Sequence, residues 1–211
     1  MTMMLRAAAG AALVLASLQL AAAQQPPAAP AQQPPPTRIR GQIEAVDGSM
    51  LSIKSRDGNM LKVKRADNPR VMAFVKAAMS DIKPNAYIGV TAMPQPDGTQ
   101  KAIAIHIFTE AQRGTGEGFR PWDRQPGSTM TNAAVDSVVA GVDGQVVTVK
   151  YKDGEKKVVI PPTTPIVAYA AGNPDEVKPG AQIIIFAAAK QADGTFVTPA
   201  INVGRGLTPP M

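Results

Sequence analysis

The feature that most constrains this chain is an internal repeat with a period of about 96 residues. The run 46–54 (VDGSMLSIK) returns as 142–150 (VDGQVVTVK), and each copy is followed by a second Asp-Gly pair. The segment 81–86 (DIKPNA) likewise returns as 176–181 (EVKPGA). Two Asp-Gly turns around an alternating strand are typical of a β-hairpin, because glycine tolerates the positive φ of tight turns. The repeat therefore predicts a duplicated β unit.

Alternating apolar and polar residues predict strands with one buried and one solvated face. In the first unit Leu51 and Ile53 share a face, and Val147 and Val149 occupy the matching positions of the second unit. We therefore expect these four side chains to point into the core.

One short helix is expected in the first unit, over residues 69–80. Asn68 is a favourable N-cap, Pro69 suits the first helical position, and the apolar residues that follow have helical spacing. The resulting order, β-β-β-α-β-β, is that of an OB-fold, a small Greek-key barrel. The second unit lacks the helix and has a short extra strand over 166–169 instead. The prediction is a mainly β protein of two tandem OB-like barrels.

The N-terminus predicts export. Arg6 precedes an apolar run, and the small residues before Gln24 form a cleavage site, which is typical of a signal peptide. An uncleaved membrane anchor is the alternative. We expect a periplasmic protein, cleaved near Ala23/Gln24, with no transmembrane span in the mature chain. The predicted segments are a signal peptide (1–23), a disordered Pro/Gln-rich linker (24–36), the first β repeat (37–108), a Gly-rich connection (109–134), the second β repeat (135–205) and a tail (206–211).

Composition argues against several kinds of active site. The chain has no cysteine and one histidine, which removes thiolate catalysis and cysteine-based metal sites. Six of the eleven aspartates stand in Asp-Gly turns, where turn chemistry accounts for them. His106 alternates with Ile105 and Ile107 and is expected to face away from the core, at the surface or an interface. We therefore predict no catalytic residue, no metal site and no cofactor.

The basic residues are the most suggestive group, within a formal net charge of +6. They line the two equivalent hairpins, and in OB-folds this region carries the ligand. The candidate ligand-binding residues are Lys54, Arg56, Lys62, Lys64, Lys150, Lys152 and Lys156. A solvated face that prevents edge aggregation is the more usual explanation of such residues. The few aromatic residues argue against nucleic acid, so the expected partners are an anionic glycan, a lipid headgroup or another envelope protein.

The connection between the units is a second candidate region. Long loops are often functional, and Trp122 would anchor this one by packing on a barrel. The alternative of an enzyme places its active site in the loop 113–132. Its acid, base and anion contacts would come from Glu117, Arg120, Asp123, Ser128 and Thr131.

The repeated V-D-G, D-G and K-P-G/N-A segments resemble those of small exported bacterial β-domains grouped as a domain of unknown function. The whole chain, with its central stretch 113–123 (RGTGEGFRPWD), is similar to a proteobacterial family of secreted proteins. Members often carry the name "metal ABC transporter permease". A permease needs several membrane spans, so this name does not fit the chain. The resemblance implies an OB-like fold, export and no site residues. A non-enzymatic binding or scaffold protein is the preferred interpretation, and an accessory role in metal uptake is an alternative.

Overall fold

The computed structural model describes residues 35–142 and 144–211, so the predicted signal peptide, most of the linker and Asp143 lie outside the described residues. The mainly β prediction is confirmed. The strands are β1 (Thr37–Asp47), β2 (Met50–Ser55), β3 (Met60–Lys76), β4 (Tyr87–Pro94), β5 (Gln100–Ile107), β6 (Gly118–Pro121), β7 (Thr129–Gly141), β8 (Gly144–Tyr151), β9 (Gly154–Ile160), β10 (Ile166–Ala171), β11 (Gln182–Lys190) and β12 (Phe196–Gly204).

Helical structure in the described ranges is limited to three short 3₁₀ turns. They are Met79–Asp81, Glu110–Gln112 and Pro174–Glu176. No helix in this part of the chain has the length and apolar character needed to cross a bilayer.

The helix predicted over residues 69–80 is wrong, because β3 continues to Lys76. The C-terminal part of this strand is buried on both faces: Val71 packs in a barrel core and Phe74 packs on the other side. A run that is apolar on both faces has no period-two pattern and imitates helical spacing. Pro69 lies in an irregular stretch where the pairing with β12 passes from Arg65 to Arg70, so its missing N–H breaks no ladder bond.

Two closed five-stranded barrels form the structure. The first contains β1, β2, β3, β11 and β12 and closes through the parallel pair β12–β3. The second contains β4, β5, β7, β8 and β9 and closes through the parallel pair β5–β9. Each barrel takes a three-stranded meander from one half of the chain and a hairpin from the other half. The tandem arrangement, with one barrel per repeat, is therefore not confirmed. The hairpin β4–β5 of the first repeat lies in the second barrel, and the hairpin β11–β12 of the second repeat lies in the first barrel.

The exchange depends on β3 and β10, which join the barrels into one sheet. They pair antiparallel, with Phe74 opposite Tyr169 and ring centroids 4.4 Å apart. On its other side β10 pairs parallel with β5, where Val167 lies opposite His106. The extra strand predicted over 166–169 is thus present. Its pairing carries the chain across the junction between the barrels.

The connectors that follow these two strands have the same turn. The main-chain N–H of Ala86 donates to Lys83 at 3.0 Å, and that of Ala181 donates to Lys178 at 3.1 Å. The third residue has positive φ in both turns, 67° at Asn85 and 86° at Gly180. Proline second and Asn or Gly third are the residues that a type II turn requires. The repeated K-P-N/G-A segments therefore encode one local structure twice.

Three apolar clusters stabilise the part of the chain that the structure describes. One fills each barrel, and the four core residues expected from alternation, Leu51, Ile53, Val147 and Val149, are fully buried. The third cluster lies between the barrels and is built around Phe74. Trp122 packs against this third cluster, as expected for the anchor of the connecting loop. The junction between the barrels is therefore a core in its own right.

Candidate ligand-binding site

A cavity of about 390 Å³ lies where the two barrels meet. Strands of both barrels and the connection between β5 and β7 contribute to its wall. The polar residues that matter most are Arg38, Arg70, His106, Arg120, Trp122 and Asn132. Its volume is within the range of about 300–1,000 Å³ that is usual for small-molecule sites.

His106 forms a polar position in an otherwise aromatic part of the wall. It is 3% exposed, and its ring meets Phe108 and Tyr169 edge-on at centroid distances of 4.7 and 5.7 Å. Burial, with a smaller effect of the Arg120 cation, lowers the pKa of His106 to about 3. The imidazole is therefore neutral at pH 7. Its Nδ1 atom has no hydrogen-bond partner within the protein.

Asn132 lies two strands away from His106 and is also buried, at 5% exposure. Gly89 on the intervening β4 pairs with both residues. The Asn132 Nδ2 atom donates to the main-chain oxygen of Thr115 at 3.0 Å, which fixes the orientation of the amide. Its Oδ1 atom is buried without a donor. The side chain thus holds the connecting loop with one atom, while the other atom of this wall residue is buried without a partner.

Two guanidinium groups lie close to the Trp122 ring. Arg38 is 3.7 Å and Arg120 is 5.5 Å from the centroid of the indole. Such contacts stabilise this cluster by cation–π attraction. The indole Nε1 and the Arg38 Nε are both buried N–H donors without an acceptor. The wall at this end of the cavity therefore contains unpaired donors and positive charge.

Asp123 compensates only part of that charge. Its carboxylate contacts Arg38 at 2.6 Å and Arg40 at 2.7 Å. Within residues 35–142 and 144–211 no carboxylate reaches salt-bridge distance of Arg70 or Arg120. The cavity wall consequently carries a net positive charge.

The ion pairs of Asp123 predict an acid-sensitive contribution to stability. Although partial burial opposes ionisation, hydrogen bonds from Arg40 and Arg38 lower the pKa of Asp123 from 3.8 to about 2. Because the folded pKa is depressed, the stabilisation is complete well above pH 3.8 and disappears as the pH falls through about 2. We expect Asp123→Asn to lower the free energy of unfolding by about 1 kcal/mol at pH 7, after allowance for solvent exposure.

Urea unfolding of both proteins at pH 7 and pH 2 measures this effect, and the difference between them should shrink at the lower pH. Asp136→Asn is the matched control, because it removes an exposed 2.8 Å pair with Lys150 and is expected to cost less than about 0.5 kcal/mol. Equal losses for the two variants would contradict a special role of Asp123.

The basic residues predicted from the hairpins lie elsewhere. Lys54, Arg56, Lys62 and Lys64 belong to the first barrel, and Lys150, Lys152 and Lys156 belong to the second. The structure does not bring the two sets to the cavity. Several have local partners: the Lys62 Nζ donates to Ser52 Oγ at 2.7 Å, and the Lys156 Nζ lies 4.6 Å from the Phe119 ring.

A separate shallow groove includes two of these predicted residues. Lys54 and Arg56 border it together with Arg40, and its volume is about 320 Å³. The groove is far less aromatic than the cavity between the barrels. It supplies a basic surface without a buried polar atom that lacks a partner.

Of the residues suggested for an enzyme in the loop 113–132, the cavity wall includes Arg120 alone. Glu117 accepts the main-chain N–H of Lys152 at 2.9 Å. The buried Ser128 hydroxyl lies 3.0 Å from the Trp122 carbonyl oxygen and 2.7 Å from that of Gln125, so it stabilises a turn. Over the described residues no three His, Cys, Asp or Glu side chains are grouped as a metal site would need.

Sequence reasoning missed most of this cavity. His106 faces away from the barrel core as expected, but the sequence gives no sign that a second barrel covers it. Trp122 was the best available signal, since the only tryptophan of the chain stands in a polar loop next to several arginines. Arg38, Asn132 and Tyr169 are far apart in sequence and carry no recognisable motif.

Comparison with known proteins adds no assignment to the cavity. No family model, curated protein or solved structure matches the chain. The function is therefore inferred from the residues of the cavity and their geometry.

Proposed function

We propose that the protein is a non-enzymatic binding protein that holds a small organic anion in the cavity between its barrels. One observation carries this proposal. Five buried side-chain polar atoms of the described residues have no hydrogen-bond partner, and four belong to residues of this wall: Arg38, His106, Trp122 and Asn132. A buried polar group without a partner costs about 1–3 kcal/mol. Their concentration in one cavity is expected if a ligand supplies the missing partners.

The sign of the charge supports an anion. Arg70 and Arg120 face the cavity without a carboxylate partner among the described residues, and Arg38 shares its carboxylate with Arg40. A low-dielectric wall strengthens the attraction of such groups for negative charge. A neutral or cationic ligand would leave the guanidinium groups uncompensated.

The chemistry of the wall supports binding rather than catalysis. No Asp, Glu, Ser or Cys among the described residues lines the cavity. His106, the one candidate base, has a pKa of about 3 and stands beside aromatic rings instead of a nucleophile. General acid–base catalysis near neutral pH needs a group whose pKa is close to 7.

The same proposal includes the finer description of the fold and the location of the protein. Around the first barrel the strands follow the order β1-β2-β3-β12-β11, in which the last two replace the fifth and fourth strands of an OB-fold. We interpret the chain as two OB-like units with exchanged hairpins.

The predicted signal peptide supports a periplasmic location. There the protein would be in direct contact with soluble anions. The structure offers no observation that favours a role in metal uptake.

Tryptophan fluorescence tests the proposed function, because Trp122 is the only tryptophan of the chain and lies in the cavity wall. Titration with benzoate, citrate and inorganic phosphate should change the Trp122 emission saturably for at least one of them. We expect Arg70→Gln to weaken that binding about tenfold, since it removes one charge from the wall. No saturable change up to about 10 mM with any probe would reject the site.

Lys54→Gln is the matched control for the charge. It removes one positive charge from the outer face of β2, outside the cavity. We expect its affinity to equal that of the unmodified protein within about twofold. An equal loss in Lys54→Gln and Arg70→Gln would mean that only the net charge of the protein matters.

A further inference from the structure

Three of the four partnerless atoms in the cavity wall have a fixed role as donor or acceptor, and these roles restrict the ligand. The Arg38 Nε and Trp122 Nε1 atoms are donors only, so they require acceptors on the ligand. The Asn132 Oδ1 atom is an acceptor, so it requires a donor. An anion with acceptors alone satisfies the first two atoms and leaves the third unpaired.

The assignment of the Asn132 acceptor rests on its neighbour. A flipped amide would place its oxygen against the main-chain oxygen of Thr115, where the present Nδ2 donates at 3.0 Å. Two acceptors at that distance repel each other, so the hydrogen-bond network fixes the amide as described. The wall of the cavity therefore includes a residue with an unpaired acceptor, next to arginine side chains.

The Asn132 side chain, whose acceptor requires a donor on the ligand, lies close to the Arg120 cation. A Cβ atom built on Gly116 would lie 3.2 Å from the Asn132 Nδ2 and 3.4 Å from an Arg120 terminal nitrogen. A Cβ atom built on Gly89 would lie 2.7 Å from the Asn132 Oδ1 and 2.1 Å from the His106 Nε2. Asn132 is thus adjacent to Arg120 on one side and to His106 on the other. A ligand near Asn132 reaches both charge and neutral polar groups.

The rest of the wall favours a flat apolar body. It contains four of the nine aromatic side chains in a chain with five Phe, three Tyr and one Trp, and also the sole histidine. Phe108 and Tyr169 are stacked, with centroids 5.3 Å apart and planes inclined by 20°. Rings pack well against the face or edge of another planar group. A flexible aliphatic acid would match this wall less well.

We propose that the ligand is a planar aromatic acid that also carries a hydrogen-bond donor, such as a hydroxyl group. This inference rests on the proposed function and specifies its ligand. The acid meets Arg70, Arg120 and the donors around Trp122, the ring lies among the aromatic side chains, and the donor pairs with Asn132.

Isothermal titration calorimetry with matched compounds tests each part. The three hydroxybenzoate isomers carry acid, ring and donor; benzoate lacks the donor; 4-hydroxybenzamide lacks the charge; cyclohexanecarboxylate lacks the planar ring. We expect at least one hydroxybenzoate to bind about tenfold or more tightly than each of the three depleted compounds.

Asn132→Leu identifies the acceptor. The variant keeps similar bulk but removes the Oδ1 atom, so hydroxybenzoate and benzoate should bind it with affinities equal within about twofold. The ratio of the two dissociation constants is the readout, which a moderate loss of stability does not alter. If Asn132→Leu does not fold, Asn132→Ala serves the same comparison.

The outcomes separate the inference from the function. Equal binding of benzoate and all three hydroxybenzoates to the unmodified protein overturns the donor requirement while the anion site stands. Equal binding of cyclohexanecarboxylate overturns the planar requirement. Absence of binding by every acid up to about 10 mM overturns the inference and the proposed function together.

Discussion

A chain cut between Pro126 and Gly127 is expected to remain one particle in native buffer, although its two pieces are no longer linked. These residues lie in an exposed turn between β6 and β7. The first piece then carries β1–β6 and the second carries β7–β12. Because each barrel takes strands from both pieces, separation would expose the apolar core of both barrels. The pieces should therefore separate only when the whole protein unfolds.

A protease site inserted in this turn allows the measurement. Size-exclusion chromatography and far-UV circular dichroism across a urea series should give coincident midpoints for dissociation and for loss of strand structure. The midpoint of the cut protein should rise with protein concentration, since folding has become bimolecular. The uncut protein with the same insertion is the control, and its midpoint should not depend on concentration. Pieces that separate with their strand signal intact would contradict the exchanged topology.

The barrel interiors were predictable because they depend on local sequence. Leu51 and Ile53 alternate with polar residues inside one hairpin, and the Asp-Gly turns fix that hairpin without reference to the rest of the chain. The hydroxyl of Thr99 bonds to the Asp97 Oδ1 at 2.7 Å, and Thr195 bonds to Asp193 in the same way at 2.7 Å. The repeated turn sequences thus form the same turn twice, because the hydrogen bonds that stabilise each turn join residues close in sequence.

The exchange of hairpins was not predictable from the same patterns. Both the tandem and the exchanged arrangement bury the same faces of the same strands, so alternation does not distinguish them. What decides is the course of β3, which continues past the first barrel to Lys76 and pairs with β10. The residues that extend it, 71–76 (VMAFVK), are apolar on both faces and suggested a helix. Because this one segment was predicted as a helix, the predicted partners of four strands, β4, β5, β11 and β12, were wrong.

The cavity was not predictable either, because its residues come together only where the two barrels join. His106 and Asn132 belong to the second barrel, whereas Arg38 and Asn202 belong to the first, and only the junction brings them to one wall. The basic hairpins attracted attention because their lysines are close in sequence. Spacing within a hairpin shows a charged face, but it does not show whether another barrel covers that face.

Gly89→Ala is expected to destabilise the protein and to disable the cavity in one step. An added Cβ would lie 2.0 Å from the His106 Cε1 and 2.7 Å from the Asn132 Oδ1, so both buried side chains must move. His106 has little room, since its ring contacts Phe108 and Tyr169. Overpacking of this kind costs about 1–3 kcal/mol. We expect a loss near the upper end in urea unfolding, and binding of any cavity ligand weaker by about tenfold or more.

A double-mutant cycle distinguishes this clash from a general effect of alanine. Because the His106 ring is the nearer obstacle, Gly89→Ala should cost at least about 1 kcal/mol less when His106→Ala is already present, and the contact with Asn132 accounts for the remaining cost. Gly98→Ala is the control: nothing lies within 4 Å of its added Cβ, but its φ of 84° is strained for alanine. Its cost, about 1 kcal/mol, should be the same with or without His106→Ala. Gly89 lies close to both His106 and Asn132. If His106→Ala reduces the cost of Gly89→Ala, glycine is needed at this position because these two side chains pack so closely against it. Additive losses would mean instead that the protein accommodates the methyl group elsewhere and that His106 is not held as rigidly as its contacts imply.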